Sequence, residues 1–443
     1  MDETAASFRE QFVNPSDLFT ILMIIGGDVI LLALAALSGG TITPVTFSFG
    51  WASYAISAVL SAQGEDSLMP SSSDFSLRVI NLSNGYMRFN RSWALGRVFQ
   101  NYEYWMPPEV DQLLQNHPVL YQDEEAGMTD PEVLKGTAVA ETDVKPRKFV
   151  SPHQARLCVA VYEWALDGPH RVAKPGHDWV YWLGIVVTVL QIAISAIPFG
   201  LYKDWSIFLV TVGGSLLAYA SGALPQWRKE KWACRTLEGR KDVALTLGNG
   251  TRHVVVVRGA KGGLDLEDMA GGQWSNDEEG PKRKHPWMRL MNSGNTTRML
   301  TFVLAVLWLM LLLASMGIQD HGWYLLAVGG IGILQNLIAA GAPRQPAMLG
   351  VPIRPAMRPS SGDEASSTPM VFAEFKLMHT LMELELDFKG AGRALLPEFF
   401  PGGRLLPWEE KWWSTDEPEI RRELLRAAKT KEFNKQMRRT QSG

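Results

Sequence analysis

Apolar runs alternate with long polar stretches along this chain, and the runs come in pairs. The clearest pair is WVYWLGIVVTVLQIAISAIPFGL from Trp179, the turn Tyr202-Lys203-Asp204, then WSIFLVTVGGSLLAYASGAL to Leu224. Each run has about 20 residues, enough helix to cross a hydrocarbon core of roughly 30 Å. The connection is too short to fold alone, so residues 179–224 predict an antiparallel transmembrane hairpin. Leu18–Leu37 and Val45–Ala62, joined by Ser38-Gly39-Gly40-Thr41, predict a first hairpin over 18–62. Met299–Ile318 and Trp323–Ala342 predict a third over 299–342. The expected fold is an α-helical polytopic membrane protein with six transmembrane helices in three hairpins.

The polar stretches predict a mixed α/β part built from non-adjacent segments. In 63–178, SLRVINL and YMRF flank Ser83-Asn84-Gly85, an Asn-Gly hairpin signal. WALGRVFQNYEYW reads as an amphipathic helix, and ARLCVAVYEWAL as a short apolar helix or strand. In 225–298, DVALTLGNGTRHVVVV alternates on both sides of Asn249-Gly250, a second β-hairpin. Residues 343–369 read as a Pro/Ser-rich flexible linker and 370–443 as a helical tail, with MVFAEFKLMHTLMELELDF as an amphipathic helix. Residues 1–17 form a polar N-terminus without the basic start of a signal peptide.

Charge orients this plan. Of 43 Lys and Arg, Lys203 alone falls on the turn side of the three hairpins. The positive-inside rule then puts both termini and the polar segments in the cytosol. Four N-x-[ST] sequons, at Asn81, Asn90, Asn249 and Asn295, fall on that same face, where no glycan is attached. The net charge of -3 implies no nucleic-acid partner, and two cysteines make neither a disulfide framework nor a thiolate metal site. No cofactor fingerprint appears: no P-loop, GxSxG, HExxH or Rossmann glycine pattern.

Chemistry concentrates in a few intramembrane polar residues. Asp28 interrupts the first run in IIGGDVILL, where a carboxylate is costly and usually faces the bundle interior or a watery cavity. Gln191, Gln335 and Asn336 also lie well inside apolar runs, and helix–helix hydrogen bonding is their default role. Thr46, Gly50, Ser53, Ser57 and Ser61 fall on one helical face, and Gly214, Ala218 and Gly222 recur every four residues; both stripes predict close helix packing. His170, His177 and Asp178 cluster before the central hairpin as interface residues, at a spacing that matches no metal site. The acidic runs Asp265–Asp268 and Asp277–Glu279 raise magnesium–diphosphate chemistry, against which their turn-rich context argues. Asp204 precedes Gly213-Gly214 by the interval that separates Asp320 from Gly329-Gly330, which is either a parallel repeat or coincidence.

NPSD with GGDVI at 14–30, FSFGW at 47–51, NRSWALGR at 90–97, PGHDWVYW at 175–182, GALPQWRKEKWACR at 222–235, LDLED at 264–268 and LQN at 334–336 together resemble a group of multi-pass integral membrane proteins from filamentous fungi. The resemblance spans most of the chain and implies the same six-helix plan. It carries over no activity and no catalytic residue. Three functions stay open. The first is a membrane-anchored scaffold or accessory factor with a cytosolic protein partner. The second is a small-solute or proton-coupled transporter using Asp28. The third is a membrane enzyme on a lipophilic, isoprenoid-like substrate, for which the fungal resemblance suggests secondary metabolism.

Overall fold

The computed structural model describes residues 16–64, 67–70, 76–115, 118–119, 149–150, 157–272, 294–318, 320–358 and 368–441. The chain opens with α1 (Ser16–Leu37), and an extended stretch leads to α2 (Trp51–Gly64). The hairpin β1 (Arg78–Asn81) and β2 (Met87–Phe89) follows, then α3 (Trp93–Gln100), α4 (Tyr102–Trp105) and α5 (Pro108–Gln115). A small pair, β3 (Pro118–Val119) and β4 (Phe149–Val150), precedes β5 (Leu157–Trp164). Next come α6 (Trp179–Tyr202), α7 (Ser206–Gly222), α8 (Pro225–Lys231), β6 (Val243–Thr246), β7 (His253–Arg258) and α9 (Leu266–Gly271). After α10 (Gly294–Met316) and α11 (Gly322–Gly341), the chain forms β8 (Ile353–Pro355), β9 (Met357–Arg358), β10 (Thr368–Pro369) and β11 (Val371–Glu374). It ends in α12 (Leu377–Asp387), α13 (Ala391–Phe399), α14 (Pro407–Ser414) and α15 (Pro418–Gln441).

Among the described residues, three helices are long and apolar enough to cross a membrane, α6, α10 and α11. A fourth span counts if α7 and α8, bent by 40° at Ala223-Leu224, are taken as one. The six-span plan is therefore only partly met. Its main departure is the second run. Residues 45–50, expected as helix, are irregular, and α2 is a 14-residue helix that starts only at Trp51. Pro44 has no N–H to give a helix and pushes Thr43 toward extended backbone. Val45, Thr46, Phe47 and Phe49 are β-branched or aromatic and favour the same state.

The apolar helices close into a ring in which each packs on two neighbours: α1 on α2, α2 on α10, α10 on α7, α7 on α6, α6 on α11 and α11 on α1. The two helices of the third predicted hairpin thus pack mainly on other helices. The turns after α6 and before α11 meet at one end of the ring, where His321 stacks on Tyr202 at 4.2 Å and its Nδ1 lies 3.6 Å from Asp204.

At the other end stands one seven-stranded sheet, in the order β11-β5-β7-β6-β1-β2, with β8 also on β5. The β1–β2 and β6–β7 hairpins pair antiparallel as their Asn-Gly signals predict, and β5 runs parallel to β7. The run ARLCVAVYEWAL is apolar without alternation because β5 is covered on both faces. Cys158, Ala160 and Tyr162 meet the layer of α3, α4, α5 and α9, whereas Leu157, Val159 and Val161 meet α12 to α15. MVFAEF, read as helix, is strand β11, and the amphipathic helix begins only at Leu377. Part of the expected linker is likewise ordered, since β8 adds to β5.

Ion pairs fasten the last layer: Lys429 to Glu374 and Glu383 at 2.8 and 2.5 Å, and Lys376 to Glu432 at 2.7 Å. His379 lies buried among them, 3 % exposed, near Trp408. Burial, then the charges of Lys429 and Lys376, push its imidazole down to about 4. The unfolded chain therefore binds this proton first as pH falls, and the folded layer loses stability between about pH 6.5 and pH 4. Replacing His379 by Gln should remove about 3 kcal/mol of that loss, read as the difference between wild-type and variant denaturant midpoints across this window.

Candidate functional site

The irregular segment Thr43–Phe49 runs through the middle of the helix ring. Thr43, Val45, Thr46 and Ser48 are at most 1 % exposed. Non-helical backbone in an apolar surrounding must find its hydrogen bonds elsewhere, because each orphaned N–H or C=O costs several kcal/mol. Side chains of the ring supply them. Asn336 accepts from Thr46 N at 3.1 Å through Oδ1 and donates to Thr46 O at 3.0 Å through Nδ2. One amide thus stands where a neighbouring strand would be. Trp51 Nε1 donates to the same Thr46 carbonyl at 2.8 Å. Gln191 Nε2 donates to Phe47 O at 2.8 Å and to Val328 O at 2.7 Å. Thr43 Oγ1 donates to Gly222 O at 2.9 Å. The Thr46 hydroxyl has three acceptors in reach for its one proton: Gly332 O, Gln335 Oε1 and Asn336 Oδ1.

Gln191, Gln335 and Asn336 therefore converge, and what they bind is mostly this segment. The α7 stripe serves the same end, whereas the first stripe shares no single helix face, because Thr46 and Gly50 precede α2. A methyl group at Gly214 would overlap the Phe47 ring, one at Gly222 would meet Thr43, and one at Gly332 would strike Phe47 O. Ala218, between the two α7 glycines, is fully buried. Gly214 and Gly329 face Phe47 and Phe49, but they are not equivalent positions of the suspected repeat: Gly213 meets Leu311, and nothing lies close to Gly330. Gly50 sits against the backbone of Gly26, and Ser53 against Gly27, so that α1 and α2 touch there; Ser57 is exposed. The Phe47 ring stacks on Trp308, which stacks on Trp51 at 4.9 Å. The cavity beside this stack measures about 20 Å³, room for one water molecule.

A second cluster joins the ring to the sheet domain. Arg344, 2 % exposed, pairs with Asp178 through Nε at 2.7 Å and Nη2 at 3.0 Å, and gives Nη1 to Ala36 O at 2.7 Å. Lys231, also buried, donates to Ala36 O and Ser38 O, both at 3.0 Å. Arg97 of α3 donates to Ala340 O and Gly341 O at 2.9 and 3.0 Å. Cations thus cap the carbonyl ends of α1 and α11, where the helix dipole favours them. Asp178 also caps α6 through Tyr181 N at 3.1 Å. His177 is exposed and stacks on Tyr181 at 4.1 Å, and His170 is half-buried.

Asp28 lies on the exposed side of α1, although Gly26 and Gly27 beside it are buried. No cluster of three or more His, Cys, Asp or Glu among the described residues suits a metal. Burial pushes the Cys158 thiol up to about 12, and burial with Asp268 and Asp265 does the same at Cys234, so neither is a thiolate near neutral pH. Asp265 is not in a loop but caps α9, and Lys241 ties it to Glu267 at 2.7 and 2.9 Å. The second acidic run, Asp277–Glu279, lies outside the described residues. The chain matches no protein-family model, no curated protein and no solved structure.

The sequence marked the three amides but not their partner, because Val45–Phe49 reads as the start of an apolar helix by composition. Pro44 next to β-branched and aromatic residues was the available signal.

Two outcomes follow from this geometry. Asn336→Leu leaves the Thr46 N–H without its partner and should cost about 1–3 kcal/mol, whereas Asn336→Gln should cost less; reversible unfolding in mixed micelles reads both. Arg344→Met strands Asp178 and should cost about 3–5 kcal/mol, while the double variant Arg344→Met with Asp178→Leu should recover part of that loss in a double-mutant cycle.

Proposed function

We propose that this chain is a membrane-anchored scaffold or accessory factor, with both termini in the cytosol and a cytosolic α/β domain that binds a protein partner. The observation that carries this reading is the filled ring: the space inside the helices is occupied by the chain's own backbone, tied down by Asn336, Gln191 and Thr43. Such a bundle works as an anchor. The paired turns at Lys203 and His321 support the orientation, since they meet at the end away from the sheet domain. A transporter using Asp28 needs that carboxylate inside the ring, and it lies outside. An enzyme with a pocket linking Asp28 to Asp178 needs a free Asp178, which Arg344 and the α6 cap engage.

The partner's place is the open edge of the sheet. Strand β2 pairs only with β1 among the described strands, and Tyr86, Met87 and Phe89 are exposed along it, Phe89 by 58 %. An added strand from a partner peptide fits such an edge. A photocrosslinking residue at position 89 in cells should give one discrete adduct, and Met87→Pro, which removes an N–H that faces away from β1, should reduce it about tenfold. Purified protein in vesicles should leave proton and solute gradients as they are in empty vesicles. Gradient collapse that Asp28→Asn abolishes, with no adduct at position 89, would put transport in place of this reading.

A further inference from the structure

The exposed carboxyl of Asp28 has no hydrogen bond and no ion pair among the described residues. Its depth follows from the helix end. Lys231 and Arg344 cap the carbonyls of Ala36 and Ser38, which marks the polar boundary. Asp28 lies nine residues before Leu37, or about 13 Å further in at 1.5 Å per residue. That is close to the middle of a hydrocarbon core of roughly 30 Å. Its neighbour one turn on, Leu32, is exposed on the same face. On α2, which touches α1 through Gly50 and Ser53, Ile56, Ser57 and Leu60 are exposed as well. The outer surface of the α1–α2 pair is thus an apolar face with a carboxyl and a hydroxyl set into it.

We propose that this face docks a transmembrane helix of another protein that carries a basic side chain at mid-depth. Charge complementarity selects that occupant. An acid facing hydrocarbon is costly and is stabilised by an opposite charge or a strong donor. The chain's own apolar helices hold no such group: α6, α7 and α11 contain no Lys or Arg, and the one in α10, Arg298, lies near its start. A second copy would therefore set carboxyl against carboxyl. The close approach of α1 and α2 at Gly26 and Gly50 keeps the face shallow, so that an incoming helix can reach Asp28. This inference concerns a surface separate from the β2 edge and stands whether or not that edge binds a partner.

The test uses the full-length protein in lipid vesicles and two synthetic probes. One is an apolar helix of about 22 residues with a single central Arg, and the other is the same helix with Leu at that position. Energy transfer from labelled protein to labelled probe reads binding. The Arg probe should bind roughly tenfold tighter or more than the Leu probe. Asp28→Leu should abolish the difference, Asp28→Glu should retain it, and Leu32→Trp should block both probes sterically while leaving the carboxyl in place. Equal binding of the two probes to wild-type protein would overturn the proposal, as would a preference that survives Asp28→Leu. Energy transfer between two labelled copies of the chain, lost in Asp28→Leu, would assign the face to self-association and would also overturn it.

Discussion

Buried backbone without a partner is the constraint on which this structure turns. Seven residues of non-helical chain, Thr43–Phe49, pass through an apolar ring of helices, and an unpaired N–H or C=O there would cost more than most packing contacts return. The Asn336 amide answers this by pairing with both backbone groups of Thr46. Once Thr46 is held in this way, the rest of the ring follows. Glycines at 214, 222 and 332 make room, and the Phe47, Trp308 and Trp51 rings close the remaining space. A helix from Val45 onward would have satisfied its own backbone and needed none of this, so the amides and the irregular segment depend on each other.

The same logic governs the junction with the sheet domain. Helices α1 and α11 end where apolar surroundings give way to the folded polar part, and their last carbonyls are too buried for water to serve them. Lys231, Arg344 and Arg97 bond them instead, from three separate stretches of chain. Asp178 balances only part of this charge. The ring and the domain are thereby fixed to each other through hydrogen bonds to backbone, which do not depend on the identity of the side chains at the helix ends.

A ring filled by its own chain and a sheet fed from three separate polar segments are consistent with one another. Every polar segment must return to the same sheet, so the helices between them are held at both chain ends on the domain side. The features left unused by this arrangement are few and lie on the outside: the β2 edge on the domain, and Asp28 on the apolar face.

Much of this was legible in the residues themselves. Asn-Gly turns between alternating strands marked both hairpins, and the segregation of Lys and Arg separated the turn end of the helices from the domain end. Uncharged runs at 179–202, 206–222 and 322–341 became helices because nothing in them competes with that state. Gln191, Gln335 and Asn336 stood out because an amide in an apolar run needs a partner. Tertiary structure decided what that partner was. Val45–Phe49 is apolar enough for a buried helix, and only the amides and glycines of three other segments, 144 to 290 residues away, make the irregular form satisfiable. The outward direction of Asp28 was decided in the same way. Helical spacing says which residues share its face, but whether that face looks inward depends on Gly26 and Gly27 meeting Gly50 and Ser53, a contact no local pattern encodes.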